Sequence, residues 1–145
     1  MTYTVSRLPA AQVKADLQRI WPASLRGIGN VDERLWWYAQ APAQCDDVFV
    51  LCDDDSASRI VGTAGFEVRA FAMAGRDVRA GLRCNLAVEP AHRTLVPGLR
   101  LVREVRRVTS SELDLAYNFP NQRAQPLFAR AGYHALAAMA RYVPI

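Results

Sequence analysis

Apolar and polar residues follow one another along this chain in patterns that predict strands and helices. Strands are predicted where apolar residues alternate with polar ones or form short runs between turn residues: 2–8, 47–52, 60–71, 78–88, 113–117 and 135–143. Helices are predicted where apolar residues recur every three or four positions: 10–25, 33–40, 97–109 and 121–131. The resulting order, β-α-α-β-β-β-α-β-α-β, predicts a single α/β domain over residues 1–145, with antiparallel hairpins before a late β-α-β crossover.

Local signals indicate where these elements end. Pro22 is predicted to stop or kink the first helix, because proline lacks a backbone N–H. Asp32 is predicted to cap the second helix, and Gly132 is predicted to end the last one. A turn at Ala74 and Gly75 is expected to join the two long central strands in a hairpin.

Composition narrows the expected compartment and partners. The 145-residue chain is 51% apolar, which suits one domain with its own core. No apolar run is long enough to cross a bilayer, and the N-terminus has no export leader. The three cysteines (Cys45, Cys52 and Cys84) are odd in number and too far apart for a zinc site. We therefore expect a cytoplasmic protein with reduced thiols, no bound metal and no membrane association.

The positive charge of the chain does not predict a nucleic-acid-binding protein. The formal net charge is +4, and Lys14 is the only lysine. The arginines are scattered along the chain instead of forming a basic run. This distribution is typical of solvated surfaces, so no nucleic acid partner is expected.

One junction between a strand and a helix has features of an anion site. The predicted strand ends at Val88, a short turn carries Arg93, and the following helix is predicted to open at Pro97. Helix N-termini expose unpaired backbone N–H groups and carry partial positive charge. The junction is therefore a candidate site for a phosphate or pyrophosphate group.

Two segments resemble motifs of the GCN5-related N-acetyltransferase (GNAT) superfamily. Residues 88–98, VEPAHRTLVPG, are similar to the family's Val-x-Pro strand end followed by Arg/Gln-x-x-Gly-x-Gly/Ala. Residues 121–133, NQRAQPLFARAGY, are similar to its Asn-x-x-Ala-x-x-Leu-Tyr-x-x-x-Gly-Phe helix. One helix and one strand separate the two motifs, as in the family. The resemblance implies the GNAT fold, a mixed but mostly antiparallel twisted sheet with two splayed strands.

The resemblance also implies a reaction and a set of cofactor contacts. It implies transfer of an acyl group from acetyl-CoA or another acyl-CoA to a small amine by direct attack. The pantetheine arm would lie between 82–88 and 113–117, where the amide near Leu86 or Val88 would polarise the thioester carbonyl. The family pattern assigns the remaining cofactor contacts to Arg93, Thr94, Leu95, Val96, Gly98, Leu99, Asn121 and Phe128.

Three departures from the family pattern affect the expected chemistry. Val96 stands where the family has its first loop glycine, and Pro97 removes one N–H donor. Phe128 replaces a tyrosine that often protonates the departing thiolate, and phenylalanine has no proton to donate. Cys84 occupies a strand position that often carries a glutamate base. These departures favour catalysis by positioning and carbonyl polarisation, with Tyr117 and Asn118 as candidates acting through a water.

Other candidate catalytic residues are weaker. Glu67, Glu89 and His92 are alternatives for the base, although each is also typical of an ordinary surface residue. Cys84 is interpreted as a core thiol and not as a nucleophile, because no histidine adjoins it in the sequence.

Two further sets of residues have candidate binding roles. An aromatic group, Trp36-Trp37-Tyr38, is expected to contribute to the acceptor pocket. One of three arginines on the helix after the loop is expected to contact the 3′-phosphate of CoA: Arg100, Arg103 or Arg107.

Two alternatives to an acyl-CoA-dependent enzyme stay open. The departures above would suit a non-catalytic domain that binds or senses CoA. The arginine excess would suit an enzyme that uses long-chain acyl-CoA or an acidic acyl-carrier protein. Only one strand's worth of residues follows Tyr133, where the family has a hairpin, and an exposed final strand would favour a homodimer.

Overall fold

The computed structural model describes residues 2–25, 27–40 and 47–138, with only the backbone described for 37–40. Five strands are present in this part of the chain: β1 (Tyr3–Pro9), β2 (Asp47–Asp53), β3 (Arg59–Met73), β4 (Arg76–Val88) and β5 (Leu115–Tyr117). Four α-helices accompany them: α1 (Lys14–Ser24), α2 (Val31–Gln40), α3 (Leu95–Glu112) and α4 (Gln125–Arg130). Short 3₁₀ turns cover Ala10–Val13, Asp54–Ser56 and Pro90–His92.

The five strands form one sheet in the order β1-β2-β3-β4-β5. The pairs from β1 to β4 are antiparallel, and β4 pairs with β5 in parallel. This mixed, mostly antiparallel sheet flanked by helices confirms the predicted fold class. The β3–β4 hairpin is longer than predicted: Met73 pairs with Arg76, and Ala74 and Gly75 both have positive φ, as a tight two-residue turn requires.

The sheet has a hydrophobic layer on each face. On one face, α3 packs through Leu101 and Val105 against Phe49 and Phe66 of the sheet. On the other face, α1 and α2 pack against β2 and β4, with Trp21 fully buried at the centre. Helix α4 extends the first layer by packing on α3.

Two helix boundaries differ from the prediction. Helix α1 begins at Lys14, after a 3₁₀ turn over Ala10–Val13, and not at residue 10. It continues past Pro22 to Ser24, because a proline in the last turn removes only one hydrogen bond near the helix end. Helix α2 begins at Val31, and its N-terminus is capped by Asn30, whose Oδ1 accepts from the Asp32 amide at 2.8 Å. Asp32 therefore lies in the first turn and is not the cap.

The predicted last strand is not present where the structure describes it. Residues 135–138 have no regular secondary structure, and residues 139–143 of that prediction lie outside the described part of the chain.

A bulge in β4 determines which face of the sheet its last residues occupy. Cys84 pairs with Gly65 and Ala87 pairs with Thr63, so two residues of β4, Asn85 and Leu86, oppose a single residue of β3. Asn85 has a φ of 51°, a left-handed conformation that asparagine tolerates better than most residues. Because of the bulge, Cys84 packs with the α1–α2 layer while Leu86 packs with the α3–α4 layer.

Candidate functional site

A cleft opens where β4 and β5 separate. The parallel pairing covers only Ala80 to Leu82 on β4, and Leu82 pairs with Tyr117 at its end. Beyond this point β4 continues to Val88, whereas the segment that follows β5 turns away towards α4. The gap contains a cavity of about 250 Å³. Its wall is formed by Ala64, Gly65, Arg83, Cys84, Asn85, Leu86, Val102, Val105, Asn118, Phe119, Pro120, Asn121, Ala124 and Phe128.

The first turn of α3 presents two free backbone amides beyond the end of β4. The helix begins at Leu95, two residues earlier than predicted, with Thr94 as the extended residue before it. The Thr94 amide donates to the His92 carbonyl, so it is already paired. Leu95 and Val96 keep first-turn amides without a helical partner, and Pro97 has no N–H.

The amides of Gly98 and Leu99 have a different role from the predicted one. Gly98 lies four residues after Thr94, and Leu99 lies four residues after Leu95. Each amide therefore donates to a backbone carbonyl at the start of the helix. Gly98 is buried, and a Cβ built on it would lie 3.3 Å from Cδ2 of Leu127. This glycine therefore permits close packing of α3 against α4, and the free donors are concentrated at Leu95 and Val96.

The Arg93 side chain contacts the protein backbone. Its Nε donates to the Val88 carbonyl at 2.7 Å, and its Nη2 donates to the Ala23 carbonyl of α1 at 3.4 Å. Ser24 Oγ donates to the same Val88 carbonyl at 3.3 Å. Arg93 is therefore a structural anchor for the loop, instead of the direct phosphate contact that the motif implied.

The end of β4 offers backbone groups to the cleft. Glu89 N donates to Val61 O of β3 at 2.8 Å. Because successive amides of a strand point to opposite sides, the Val88 amide points away from β3 and towards the separated side. Leu86, the residue predicted to polarise a thioester carbonyl, lines the cavity itself.

A buried arginine forms part of the cavity wall. Arg83 is only 9% exposed, and its Nη1 and Nη2 donate to Val102 O at 3.1 Å and Thr109 Oγ1 at 2.9 Å. Its guanidinium carbon lies 4.6 Å from the centre of the Tyr133 ring. Burial, with Arg106 nearby, lowers the pKa of Arg83 to about 10, so the side chain is still charged at neutral pH.

The predicted asparagine and phenylalanine contacts do line the cavity. Asn121 Oδ1 accepts from the Ala124 amide at 3.0 Å and so orders the turn before α4. Phe128 is buried and meets the Tyr133 ring edge-on. Asn118 Nδ2 is buried without a hydrogen-bond partner.

The candidate bases are engaged away from the cavity wall. His92 is buried, with Nδ1 2.9 Å from the Tyr3 hydroxyl. Glu89 pairs with Arg19 and Arg59. Glu67 pairs with an arginine two residues along β3. None of the three forms part of the cavity wall.

Tyr117 is also placed outside the cavity wall. Its ring packs edge-on against Phe71 and Phe119, with ring centres 5.8 Å apart in both pairs. Cys84 does line the cavity and is not part of a disulfide. The histidine of this region, His92, is bonded to Tyr3.

The arginines of α3 have partners within the protein. Arg100 donates to the Tyr3 carbonyl, and Arg103 donates to the Arg130 carbonyl at 3.4 Å. Arg107 pairs with the glutamate one helical turn before it.

Of the three aromatic residues predicted to contribute to the acceptor pocket, only Trp36 has a side chain that the structure describes. Trp36 is 56% exposed. The side chains of Trp37 and Tyr38 lie outside the described part of the structure.

The described residues contain neither a metal-coordinating cluster nor a membrane-spanning helix. No group of three or more His, Cys, Asp or Glu side chains within residues 2–25, 27–40 and 47–138 could coordinate a metal. No helix in these ranges is long and apolar enough to cross a membrane.

Sequence reasoning missed Arg83 and Asn85 as parts of the site. Strand alternation alone does not distinguish a charged side chain that points into a protein from one that points to solvent. Asn85 is a recognisable candidate for positive φ, but its neighbours in the sequence do not indicate a turn.

Known structures share this architecture over their whole length. No protein-family model and no curated protein sequence matches this chain. The chain is similar to the structure of AAC(6')-Iy bound to the bisubstrate analogue CoA-S-monomethyl-acetylneamine, with 14% identity, a TM-score of 0.73 and coverage of 100% of this chain and 99% of the other.

Two further solved structures agree with this result. Glucosamine-6-phosphate N-acetyltransferase from Arabidopsis thaliana is 12% identical, with a TM-score of 0.72 and coverage of 99% and 100% of the two chains. A GCN5-related N-acetyltransferase from Ralstonia eutropha is 17% identical, with a TM-score of 0.69 and coverage of 98% and 99%. With its splayed β4 and β5 and its bulged β4, the chain therefore has the fold of the GCN5-related N-acetyltransferases.

Proposed function

We propose that this protein transfers an acyl group from an acyl-CoA thioester to a small primary amine. The observation that carries the proposal is the cleft between β4 and β5, which leads from the free amides of α3 to the bulge at Asn85. A cleft with free backbone amides at one end and a partly apolar wall suits a long, flexible ligand with an anionic head. Acyl-CoA has this form, and a neighbour of the same fold is in complex with the bisubstrate analogue CoA-S-monomethyl-acetylneamine.

The residues present fit the cofactor at three points. The amides of Leu95 and Val96 would receive the pyrophosphate. The outward-facing backbone of Val88 would pair with the pantetheine arm like an added strand. The unpaired Asn118 Nδ2 in the cavity wall needs an acceptor, which a ligand in the cleft would supply. When bound, acyl-CoA supplies an activated thioester carbonyl.

The protein's own contribution is positioning and carbonyl polarisation. The Leu86 amide would donate to the thioester carbonyl oxygen in the cleft, since Leu86 lines the cavity. The amine nitrogen forms a bond to the thioester carbon, the C–S bond breaks, and the proton lost by the amine ends on the thiol. Holding the two reactants together supplies up to about 10 kcal/mol of the barrier reduction.

A second candidate function is a domain that binds CoA without turnover. The observation that favours it is the cavity wall itself. Within the described residues, that wall contains no carboxylate, histidine or tyrosine that could act as a proton carrier. A thiol-release assay with acetyl-CoA and a panel of amines separates the two functions. Release with at least one amine supports transfer, whereas CoA binding without release for any of them supports the binding domain.

The amide of Leu95 gives a direct test of the pyrophosphate site. Leu95→Pro removes this amide at the first helical position, where proline fits, and Thr94 before it already has the extended backbone that proline requires. We expect CoA affinity to fall about tenfold, as for the loss of one hydrogen bond to a charged group, without a lower Tm. Isothermal titration calorimetry and thermal unfolding measure the two quantities.

The matched control for this experiment is Leu95→Ala. It removes the side chain, which is 46% exposed, and keeps the amide. We expect it to bind CoA like the original chain. Equal CoA affinity for Leu95→Pro and Leu95→Ala would show that this amide does not contact the cofactor.

The cytoplasmic location, a homodimer and the use of an acyl-carrier protein stay predictions from the sequence. The contribution of Trp36, Trp37 and Tyr38 to an acceptor pocket also stays a prediction from the sequence.

A further inference from the structure

Arg83 is a buried positive charge without a carboxylate partner. Among the residues that the structure describes, no aspartate or glutamate forms an ion pair with it. Its two recorded hydrogen bonds go to a neutral carbonyl and a neutral hydroxyl, and its Nε has no partner. Removing a charge from water is costly unless an opposite charge compensates for it.

The unsatisfied donors of this region belong to one cavity. Arg83 and Asn118 both line the cleft, and each has a buried nitrogen that donates to nothing in the described structure. No carboxylate side chain lines the same cavity. A planar anion with two oxygens can accept from both donors at once, and arginine recognises carboxylates in this way.

The position of Arg83 along the cleft indicates which part of a ligand reaches it. The free amides of α3 lie beyond the end of β4, and Leu86 lies within the cleft. Arg83 lies three residues further along the strand from the N-terminus of α3, beside the later turns of that helix. Three strand residues span about 10 Å. A ligand with its pyrophosphate at α3 and its thioester at Leu86 therefore directs its acyl group towards Arg83.

Resting on the function proposed above, we infer that the acyl donor carries a terminal carboxylate on a short chain, bound by Arg83 and Asn118. The donor class is a dicarboxylic acyl thioester. The transfer keeps the same balance: the C–N bond forms, the C–S bond breaks, the proton of the amine ends on the thiol, and the distal carboxylate is unchanged.

Arg83 contacts α3, the helix whose first-turn amides are proposed to receive the pyrophosphate, which favours the acyl donor as the source of this carboxylate. The Arg83 side chain bonds to Val102 and Thr109 of α3. Cys84, its neighbour, packs with the α1–α2 layer on the opposite face.

The test compares the binding of CoA, butyryl-CoA and succinyl-CoA by isothermal titration calorimetry. Butyryl and succinyl groups have the same number of carbons, and only the second has a free carboxylate. We expect the original chain to bind succinyl-CoA about tenfold more tightly than butyryl-CoA. Arg83→Met is expected to remove that preference and to keep the affinity for CoA itself.

Arg79→Met is the matched control, because Arg79 lies four residues earlier on the same strand, is exposed and does not line the cavity. It should keep the preference for succinyl-CoA. If Arg83→Met fails to fold, Asn118→Leu provides the second test and should reduce the preference severalfold. Thermal unfolding identifies which variants are folded.

Each outcome bears on one proposal. Equal affinity of the original chain for butyryl-CoA and succinyl-CoA overturns the carboxylate site and leaves the proposed function intact. A preference that survives in Arg83→Met or Asn118→Leu also overturns it. Failure of both thioesters and of CoA itself to bind overturns the proposed function instead.

Discussion

The substitution Ala124→Trp is expected to lower the affinity for CoA at least about 100-fold, which corresponds to about 2.8 kcal/mol. Ala124 is half-buried in the wall of the 250 Å³ cavity, just before α4 begins. An indole ring at this position enters the space that a pantetheine arm needs. Because the cavity is open to solvent at this wall, we expect the ring to fill it without disturbing the sheet. Calorimetric titration with CoA measures the effect.

The neighbouring residue supplies the control for this blockage. Arg123 belongs to the same turn, is exposed and does not line the cavity. Arg123→Trp adds the same ring outside the cleft and is expected to bind CoA like the original chain. Unchanged CoA binding by a folded Ala124→Trp variant would mean that the ligand does not pass through the gap between β4 and β5.

The substitution Trp21→Ala is expected to lower the free energy of unfolding by about 3 to 5 kcal/mol. Trp21 is fully buried between α1 and the sheet, and its Nε1 donates to Thr63 Oγ1 at 2.9 Å. Truncation leaves a cavity and a buried hydroxyl that has lost its donor. Since domains of this size are stable by only about 5 to 15 kcal/mol, this loss brings the protein close to unfolding. Urea denaturation followed by circular dichroism gives the value.

Trp36→Ala is the comparison for this experiment. Trp36 lies on α2, and 56% of its side chain is exposed. Its truncation should lower the free energy of unfolding by less than about 1 kcal/mol. Similar losses for the two tryptophans would contradict the assignment of Trp21 to the core between α1 and the sheet.

The fold was predictable because local signals along the chain agree with one another. The apolar spacing in 97–109 and the hairpin turn at Gly75 both correspond to elements of the structure. The sequence predicts that α3 begins at Pro97, two residues later than it does. Proline is tolerated anywhere in the first turn of a helix, so Pro97 does not show whether it is the first or the third residue of α3.

The site was less predictable, because its contacts join distant parts of the sequence. The hydrogen bond between His92 and Tyr3 joins residues that lie 89 positions apart in the sequence. It engages a side chain that the local sequence leaves available as a candidate base. The bulge at Asn85 adds one residue to β4 and so places Cys84 and Leu86 on opposite faces. A strict two-residue alternation assigns both side chains to the same face.

The anchor formed by Arg93 has a consequence for how two ligands influence each other. Its guanidinium joins the end of β4, at Val88, to the end of α1, at Ala23, across the loop that leads into α3. A displacement of the start of α3 would therefore strain the contact of Arg93 with the end of α1, on the other face of the sheet. By thermodynamic linkage, the factor by which a ligand on one face changes the affinity for a ligand on the other face acts equally in both directions. We therefore expect ligands bound at these two places to influence each other through Arg93.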